Sequence, residues 1–144
     1  ESGIWKFDAD PSGSKEGVLI DTVGPHIAAD VEGLTLYYAS ENDGYLIASS
    51  QGDNTYTIYS RGDVNNFIGR FSVVDSETID GTSSTDGIDV CNMGLGGKLS
   101  DGIFIVQDDV NDVGNQNFKI ISWGEIASIF NPPLEINSGY DLRN

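Results

Sequence analysis

The sequence predicts an all-β fold of antiparallel strands joined by tight turns. Short runs rich in β-branched and aromatic residues recur along the chain, turn signals separate them, and 18 of the 144 residues are glycine. Such runs suit half-buried pleated surfaces. Strands joined by short turns pair antiparallel. Sandwich, jelly roll and propeller architectures all remain open from this pattern alone.

The turn between the third and fourth runs carries the clearest signal, because Asn42-Asp43-Gly44 between two β-type runs predicts a hairpin. Only Trp123–Phe130 has a helical pattern, and Pro132-Pro133 end it. We interpret residues 132–144 as a tail or linker, with a loose terminus from Leu134. The predicted strands are Ile4–Phe7, Val18–Thr22, Leu34–Ala39, Tyr45–Ser49, Tyr56–Ser60, Ile68–Val74, Gly87–Cys91, Ile103–Gln107 and Asn117–Trp123.

The charge balance limits the partners of the chain. Asp and Glu total 23 against 7 Lys and Arg, a net charge of −16. Such a surface repels phosphate backbones and anionic lipid, so we expect no nucleic-acid and no membrane partner. A single cysteine and a single histidine exclude a thiolate zinc site and a multi-histidine site built by this chain alone. The remaining donors are hard oxygens, which suit Ca²⁺ or Mg²⁺.

Three acidic clusters are candidate cation sites. Asp30 and Glu32 would face the same side of a strand entry, where two like charges need a cation or a proton between them. Asp80–Asp89 holds three Asp and two Gly, so that carbonyls as well as carboxylates can point inward. Gln107-Asp108-Asp109 follows a strand. The alternatives are a solvated loop, an Asx-turn-rich loop and a charged hairpin tip, respectively.

Several stretches together are specific to one family. In this order and spacing they resemble the C-terminal part of a β-propeller phytase, over roughly residues 1–130. We therefore predict residues 1–131 as the C-terminal portion of such a domain. The stretches are Glu1–Phe7, Asp30–Ala39, Gly44–Gly52, Asp80–Val90, Gly102–Asp108 and Asn115–Lys119.

The resemblance implies about three four-stranded blades of a six-bladed propeller. It also implies hydrolysis of phytate (myo-inositol hexakisphosphate) with several Ca²⁺ ions. A water or hydroxide bridged by the metal attacks phosphorus in line, without a covalent phosphoenzyme. The motifs of the family's N-terminal half, with most of its phosphate-binding Lys, Arg and Tyr, are absent from this sequence. The chain starts at Glu1 without Met, so we expect a segment of a longer or processed protein, with little hydrolysis by itself.

The resemblance further implies partners, a location and site residues. The partners are phytate or calcium-phytate and the missing N-terminal half of the propeller, and the family's habit implies secretion. A non-catalytic calcium/phytate-binding module and a calcium-stabilised structural domain are the alternative functions. The implied catalytic residues are Glu32, Asp80, Asp86 and Glu1. The implied calcium ligands and neighbours are Asp30, Glu32, Gln51, Asp80, Asp89, Gln107 and Asp108.

Overall fold

The computed structural model describes residues 3–141, which form three antiparallel sheets, one short α-helix and two single-turn 3-10 helices, Gln51–Asp53 and Gly97–Leu99. The prediction of an all-β fold is confirmed. The first sheet pairs β1 (Gly3–Lys6) with β2 (Val18–Thr22). The second has the order β3-β4-β5-β6, and the third has the order β7-β8-β9. The strands of these two sheets are β3 (Val31–Tyr38), β4 (Gly44–Ser50), β5 (Thr55–Ser60), β6 (Phe67–Phe71), β7 (Ile88–Cys91), β8 (Ile103–Asp108) and β9 (Asn117–Ser122).

The predicted hairpin joins β3 to β4. Tyr38 pairs with Gly44 across it, and the amides of Ala39 and Ser40 both donate to the carbonyl oxygen of Asp43. Gly44 has φ 139°, and a Cβ there would lie 2.0 Å from the Tyr37 carbonyl oxygen. Only glycine fits this close approach, so the turn chemistry sets the register of the whole hairpin.

The main hydrophobic core lies between the four-stranded and three-stranded sheets. Tyr37 stacks on Trp123 with ring centroids 4.3 Å apart, and Phe104 meets Tyr56 and Phe71 edge-on at 5.2 and 5.4 Å. All five side chains are buried. Offset and edge-on aromatic pairs of this kind add to the stabilisation from buried area. The core therefore fixes how the two sheets sit against each other.

The predicted helix is confirmed as α1 (Trp123–Ser128), which follows β9 directly. It buries Trp123, Ile126 and Ala127 against the core, and it is too short to stand alone. Within residues 3–141, no helix is long and apolar enough to cross a membrane.

The segment after the two prolines packs against the four-stranded sheet and helix α1. Leu134 is buried, and its amide donates to the Ala127 carbonyl oxygen at 3.1 Å. The hydroxyls of Tyr45 and Tyr37 accept the amides of Glu135 and Asn137. The expected loose terminus is therefore wrong for residues 134–140, because a polar sequence can still satisfy its backbone on tyrosine hydroxyls of the neighbouring sheet. The domain division at residue 131 stays a prediction.

The two larger sheets meet along β3 and β7, the first strand of each. The Thr35 hydroxyl of β3 donates to Asp89 Oδ1 of β7 at 2.8 Å. Sheets arranged side by side through their first strands are consistent with neighbouring blades of a partial propeller. The number of blades in a complete ring stays a prediction.

Candidate functional site

The acidic motifs gather at one end of the two larger sheets. Antiparallel pairing brings the starts of β3, β7 and β9 to the same edge as the ends of β4 and β8. This end, which we call the acidic mouth, carries residues 28–33, 51–54, 80–87 and 107–112. The β3–β4 and β5–β6 turns lie at the opposite end of their sheet.

Three predicted residues form a hydrogen-bonded row across the acidic mouth. Gln51 Nε2 donates to Asp86 Oδ1 at 2.6 Å, and the Asp86 amide donates to Gln107 Oε1 at 2.8 Å. Gln51 follows β4, Asp86 lies shortly before β7 and Gln107 is the next-to-last residue of β8, so the row spans both sheets. The structure thus brings together side chains that are far apart in the sequence.

Asp30 and Glu32 lie beside this row and are exposed. The amide of Gln51 donates to the Asp30 carbonyl oxygen at 3.0 Å. A Cβ on Gly52 would lie 1.8 Å from the Ala29 carbonyl oxygen, and one on Gly33 would lie 2.8 Å from the Asp86 carbonyl oxygen. Glycine at these two positions lets the backbones touch. The segment carrying Asp30 and Glu32 is thereby wedged between the loops that carry Gln51 and Asp86.

A side-chain relay also holds the Asp30 segment. The Ala28 amide donates to Ser50 Oγ, and the Ser50 hydroxyl donates to Asp53 Oδ1, both at 2.7 Å. Arg70 pairs with Asp53 Oδ2 at 2.8 Å. Burial raises the pKa of Asp53, but the hydrogen bonds from Thr55 and Ser50 and the charge of Arg70 outweigh it, so that the net pKa is lowered. Asp53 therefore stays ionised and keeps accepting these bonds.

A second cluster lies deeper, around Lys119 of β9. Its ammonium is 2.6 Å from Asp80 Oδ1, 3.3 Å from Asp108 Oδ2 and 2.9 Å from Asn111 Oδ1. The Asp112 amide donates to Asp80 Oδ2. The hydrogen bond from Lys119, followed by that from the Asp112 amide, lowers the pKa of Asp80, and the bond to Asp80 raises the pKa of Lys119. Both groups are held in their charged forms.

Buried hydroxyls support the loop that carries Asp80 and Asp86. The Tyr56 hydroxyl lies 2.7 Å from those of both Thr82 and Thr85. Ser49 Oγ donates to the Thr85 carbonyl oxygen at 2.7 Å. These four side chains are buried, so the loop is tied to the centre of the four-stranded sheet. Functional residues are often carried on loops that a sheet positions in this way.

The remaining predicted residues lie elsewhere. Asp89 is inside β7, where its Oδ1 accepts from the Thr35 hydroxyl and the Val90 amide, so the structure uses it to join two strands. Glu1 lies outside the described residues. The sequence reasoning did not select Lys119 as a site residue. The sequence carries no signal for it, because alternation with Phe118 and Ile120 in β9 predicts an outward lysine, whereas the structure exposes the two apolar side chains and buries Lys119.

The oxygen donors of the acidic mouth are of the type that Ca²⁺ prefers, but the described residues do not bring three or more His, Cys, Asp or Glu together. Carboxylate and amide oxygens are what Ca²⁺ takes, six to eight at a time. Asp108 is fully buried, and its Oδ2 accepts no hydrogen bond from the described residues but lies 3.3 Å from the Lys119 ammonium, which compensates its charge. Yet residues 3–141 contain no group of three or more His, Cys, Asp or Glu that could hold a metal ion. Amide and backbone carbonyl oxygens, such as those of Gln51 and of the 80–87 loop, are the other ligand types that Ca²⁺ takes.

The comparisons with known proteins decide the family. The profile of the phytase family matches residues 1–144. The chain belongs to the phytase family. It is 52% identical over 132 residues to a protein of Bacillus subtilis (strain 168) named 3-phytase. That match covers 88% of this chain and 35% of the relative, so the chain spans about a third of that phytase's length. The resemblance inferred from the motifs is confirmed.

Proposed function

We propose that this chain supplies part of the active site of a calcium-dependent phytase that removes phosphate from phytate. Membership of the phytase family supports hydrolysis of phytate. The observation that carries the proposal for this chain is the row of Gln51, Asp86 and Gln107, with Asp30 and Glu32 beside it, at one end of two adjoining sheets. An acidic mouth repels a polyanionic substrate, so a cation has to stand between them.

In this proposal, residues of the acidic mouth act as calcium ligands and the backbone beneath them holds these ligands in place. Asp30, Glu32, Gln51 and Asp86 would hold calcium with oxygen atoms, together with ligands from the rest of the enzyme. When bound, calcium supplies a Lewis acid for the phosphoryl oxygens and offsets the negative charge of the mouth. The backbone wedge at Gly52 fixes the Asp30 segment before any ion arrives, so little reorganisation is needed on binding.

The exposed apolar surface supports the proposal that the rest of a propeller docks on this chain. Trp5 and Phe7 at β1 are 49% and 61% exposed, and Phe118 and Ile120 of β9 are 69% and 58% exposed. A groove of about 810 Å³ runs beside β9. Exposed apolar side chains beside a groove are a common feature of protein–protein contacts. The missing N-terminal half, from the same polypeptide or an associated chain, is the partner we propose, and secretion stays a prediction.

One observation favours the alternative of a non-catalytic calcium/phytate-binding module. Several of the few basic side chains already have protein partners. Lys6 donates to the 62–65 turn, Arg61 donates to the carbonyl oxygens of Ser40, Glu41 and Asp43, and Arg70 pairs with Asp53. These groups are therefore occupied and do not serve as phosphate ligands. These three side chains would therefore not meet the negative charge that develops in the transition state.

Phosphate release from phytate tests the proposal. The chain is assayed alone and with the remaining blades of the parent protein, in calcium and in EDTA. We expect release only with the remaining blades and only in calcium. Asp86→Asn should abolish it, whereas Asp63→Asn, at the opposite end of the sheet, should leave it unchanged. Release that persists in EDTA would contradict the calcium requirement. Binding of calcium and phytate by the complete parent without turnover would establish the alternative.

A further inference from the structure

Strand β9 carries a charged residue, Lys119, at a buried position where an apolar side chain is usual. Phe118 and Ile120 face outward, and Lys119 between them is only 8% exposed and pairs with Val106 of β8. Lysine is rarely this buried unless its charge is compensated. Its ammonium lies 2.6 Å from Asp80 Oδ1 and 3.3 Å from Asp108 Oδ2.

We propose that the Lys119 ammonium is the resident counter-cation of the Asp80–Asp108 cluster, and that calcium competes with it there. Two of its oxygen neighbours come from the 80–87 and 107–108 segments, and the third is Asn111 Oδ1 at 2.9 Å. An ammonium with three donors surrounded by three oxygens occupies the position that a small cation would take. The choice of calcium as the competing ion rests on the proposed function.

The burial of Asp108 also supports the role of Lys119 as a counter-cation. The Oδ1 atom of Asp108 accepts the amide of Ser83 at 3.0 Å, whereas its Oδ2 accepts no hydrogen bond from the described residues and lies 3.3 Å from the Lys119 ammonium. A buried carboxylate without a compensating charge is strongly unfavourable. Lys119 therefore keeps this cluster intact in protein that contains no calcium.

The resemblance and the structure differ at Asp80. The resemblance makes Asp80 a calcium ligand, but here Oδ1 faces Lys119 and Oδ2 accepts the Asp112 amide. Two cations on one carboxylate repel each other, most strongly at sites withdrawn from water. A divalent ion that binds Asp80 must displace the ammonium or bind against it. Lys119 thus weakens the apparent calcium affinity of this cluster, whereas the Gln51–Asp86 row has no lysine contact among its hydrogen bonds.

Calcium titration of the chain and its Lys119→Met variant tests the proposal. Methionine keeps an apolar side chain of similar length and removes the ammonium. In EDTA the variant should unfold at a lower temperature than the wild-type chain, and calcium should raise its midpoint by more than it raises the wild-type midpoint. Calorimetry should give the variant a roughly tenfold lower Kd for calcium. Lys119→Arg keeps the charge and should behave as the wild type.

The results that would contradict the role of Lys119 concern calcium binding and stability, so they can be told apart from a failure of phosphate release. If calcium raises both midpoints equally, or binds the variant no more tightly, Lys119 is not a competing cation, whatever phosphate release shows. If Lys119→Met does not fold even in calcium, the Lys119→Met/Asp108→Asn variant decides. Recovery of folding in that double variant supports charge compensation, and continued unfolding overturns it.

Discussion

Replacing Tyr56 with phenylalanine should loosen the loop that carries Asp80 and Asp86. The Tyr56 ring packs on Phe71 and Phe104, and phenylalanine keeps both contacts. What is lost is one hydroxyl that lies 2.7 Å from two others. The Tyr56→Phe variant therefore removes hydrogen bonds and leaves the core volume almost unchanged.

The magnitude follows from the burial of the partners left behind. Thr82 and Thr85 are 8% and 2% exposed, so water does not readily replace the missing hydroxyl. A buried polar group left unsatisfied costs about 1–3 kcal/mol. For a urea m-value of about 2 kcal/mol/M, this lowers the midpoint of urea unfolding by roughly 0.5–1.5 M.

Tyr59→Phe is the matched control, because it removes a tyrosine hydroxyl from the same strand. The Tyr59 hydroxyl donates to Asp21 Oδ2, which also contacts the His26 ring nitrogen at 2.9 Å. Asp21 keeps that partner, so we expect a smaller loss of stability. Hydrogen exchange should quicken over residues 82–87 in Tyr56→Phe alone. Equal stability of Tyr56→Phe and wild type, or equal exchange over 82–87 in both variants, would refute the reasoning.

Three further predictions concern the wedge, the tail and pH. Gly52→Ala places a Cβ 1.8 Å from a backbone oxygen, so it should lower the free energy of unfolding in urea by about 1–3 kcal/mol and weaken calcium binding measured by calorimetry. Gly87→Ala is the control, because a Cβ there meets nothing within 4 Å and should change neither quantity. Leu134→Ala should lower the free energy of unfolding by about 2–4 kcal/mol in the same urea assay, and a loss under about 0.5 kcal/mol would show that the tail does not pack. The pKa of Asp80 is lowered and that of Lys119 is raised, so both groups are charged and their pairing stabilises the fold from about pH 4 to pH 10. This stabilisation is lost as the pH falls through the lowered pKa of Asp80. Urea midpoints at pH 7 and pH 3 should therefore differ less in Lys119→Met than in wild type, and an equal difference would contradict the pairing.

Local pattern was enough to predict most of the secondary structure. The nine predicted strands and the helix all form, because alternation, β-branched residues and turn residues act within a few positions of each other. The Asn42-Asp43-Gly44 turn, for example, carries its conformational requirement in its own glycine. The family could be recognised from its motifs because they keep their order and spacing.

The partners across the fold could not be read from the sequence. Lys119 meets Asp80 across 39 residues, and Glu135 meets Tyr45 across 90. Such contacts depend on how the sheets pack, which no local pattern encodes. The tail looked loose for the same reason, since its polar residues satisfy their backbone on tyrosine hydroxyls that belong to distant strands.

The fluorescence of the two tryptophans should distinguish unfolding of the core from binding at the β1–β2 face. Trp123 is wholly enclosed by the core, whereas Trp5 has about half of its surface in contact with solvent. Their emission should therefore separate into a blue component that follows unfolding and a red component that follows events at the β1–β2 face. A blue shift of the red component alone, on addition of the N-terminal half proposed above as a partner, would report its binding without any label.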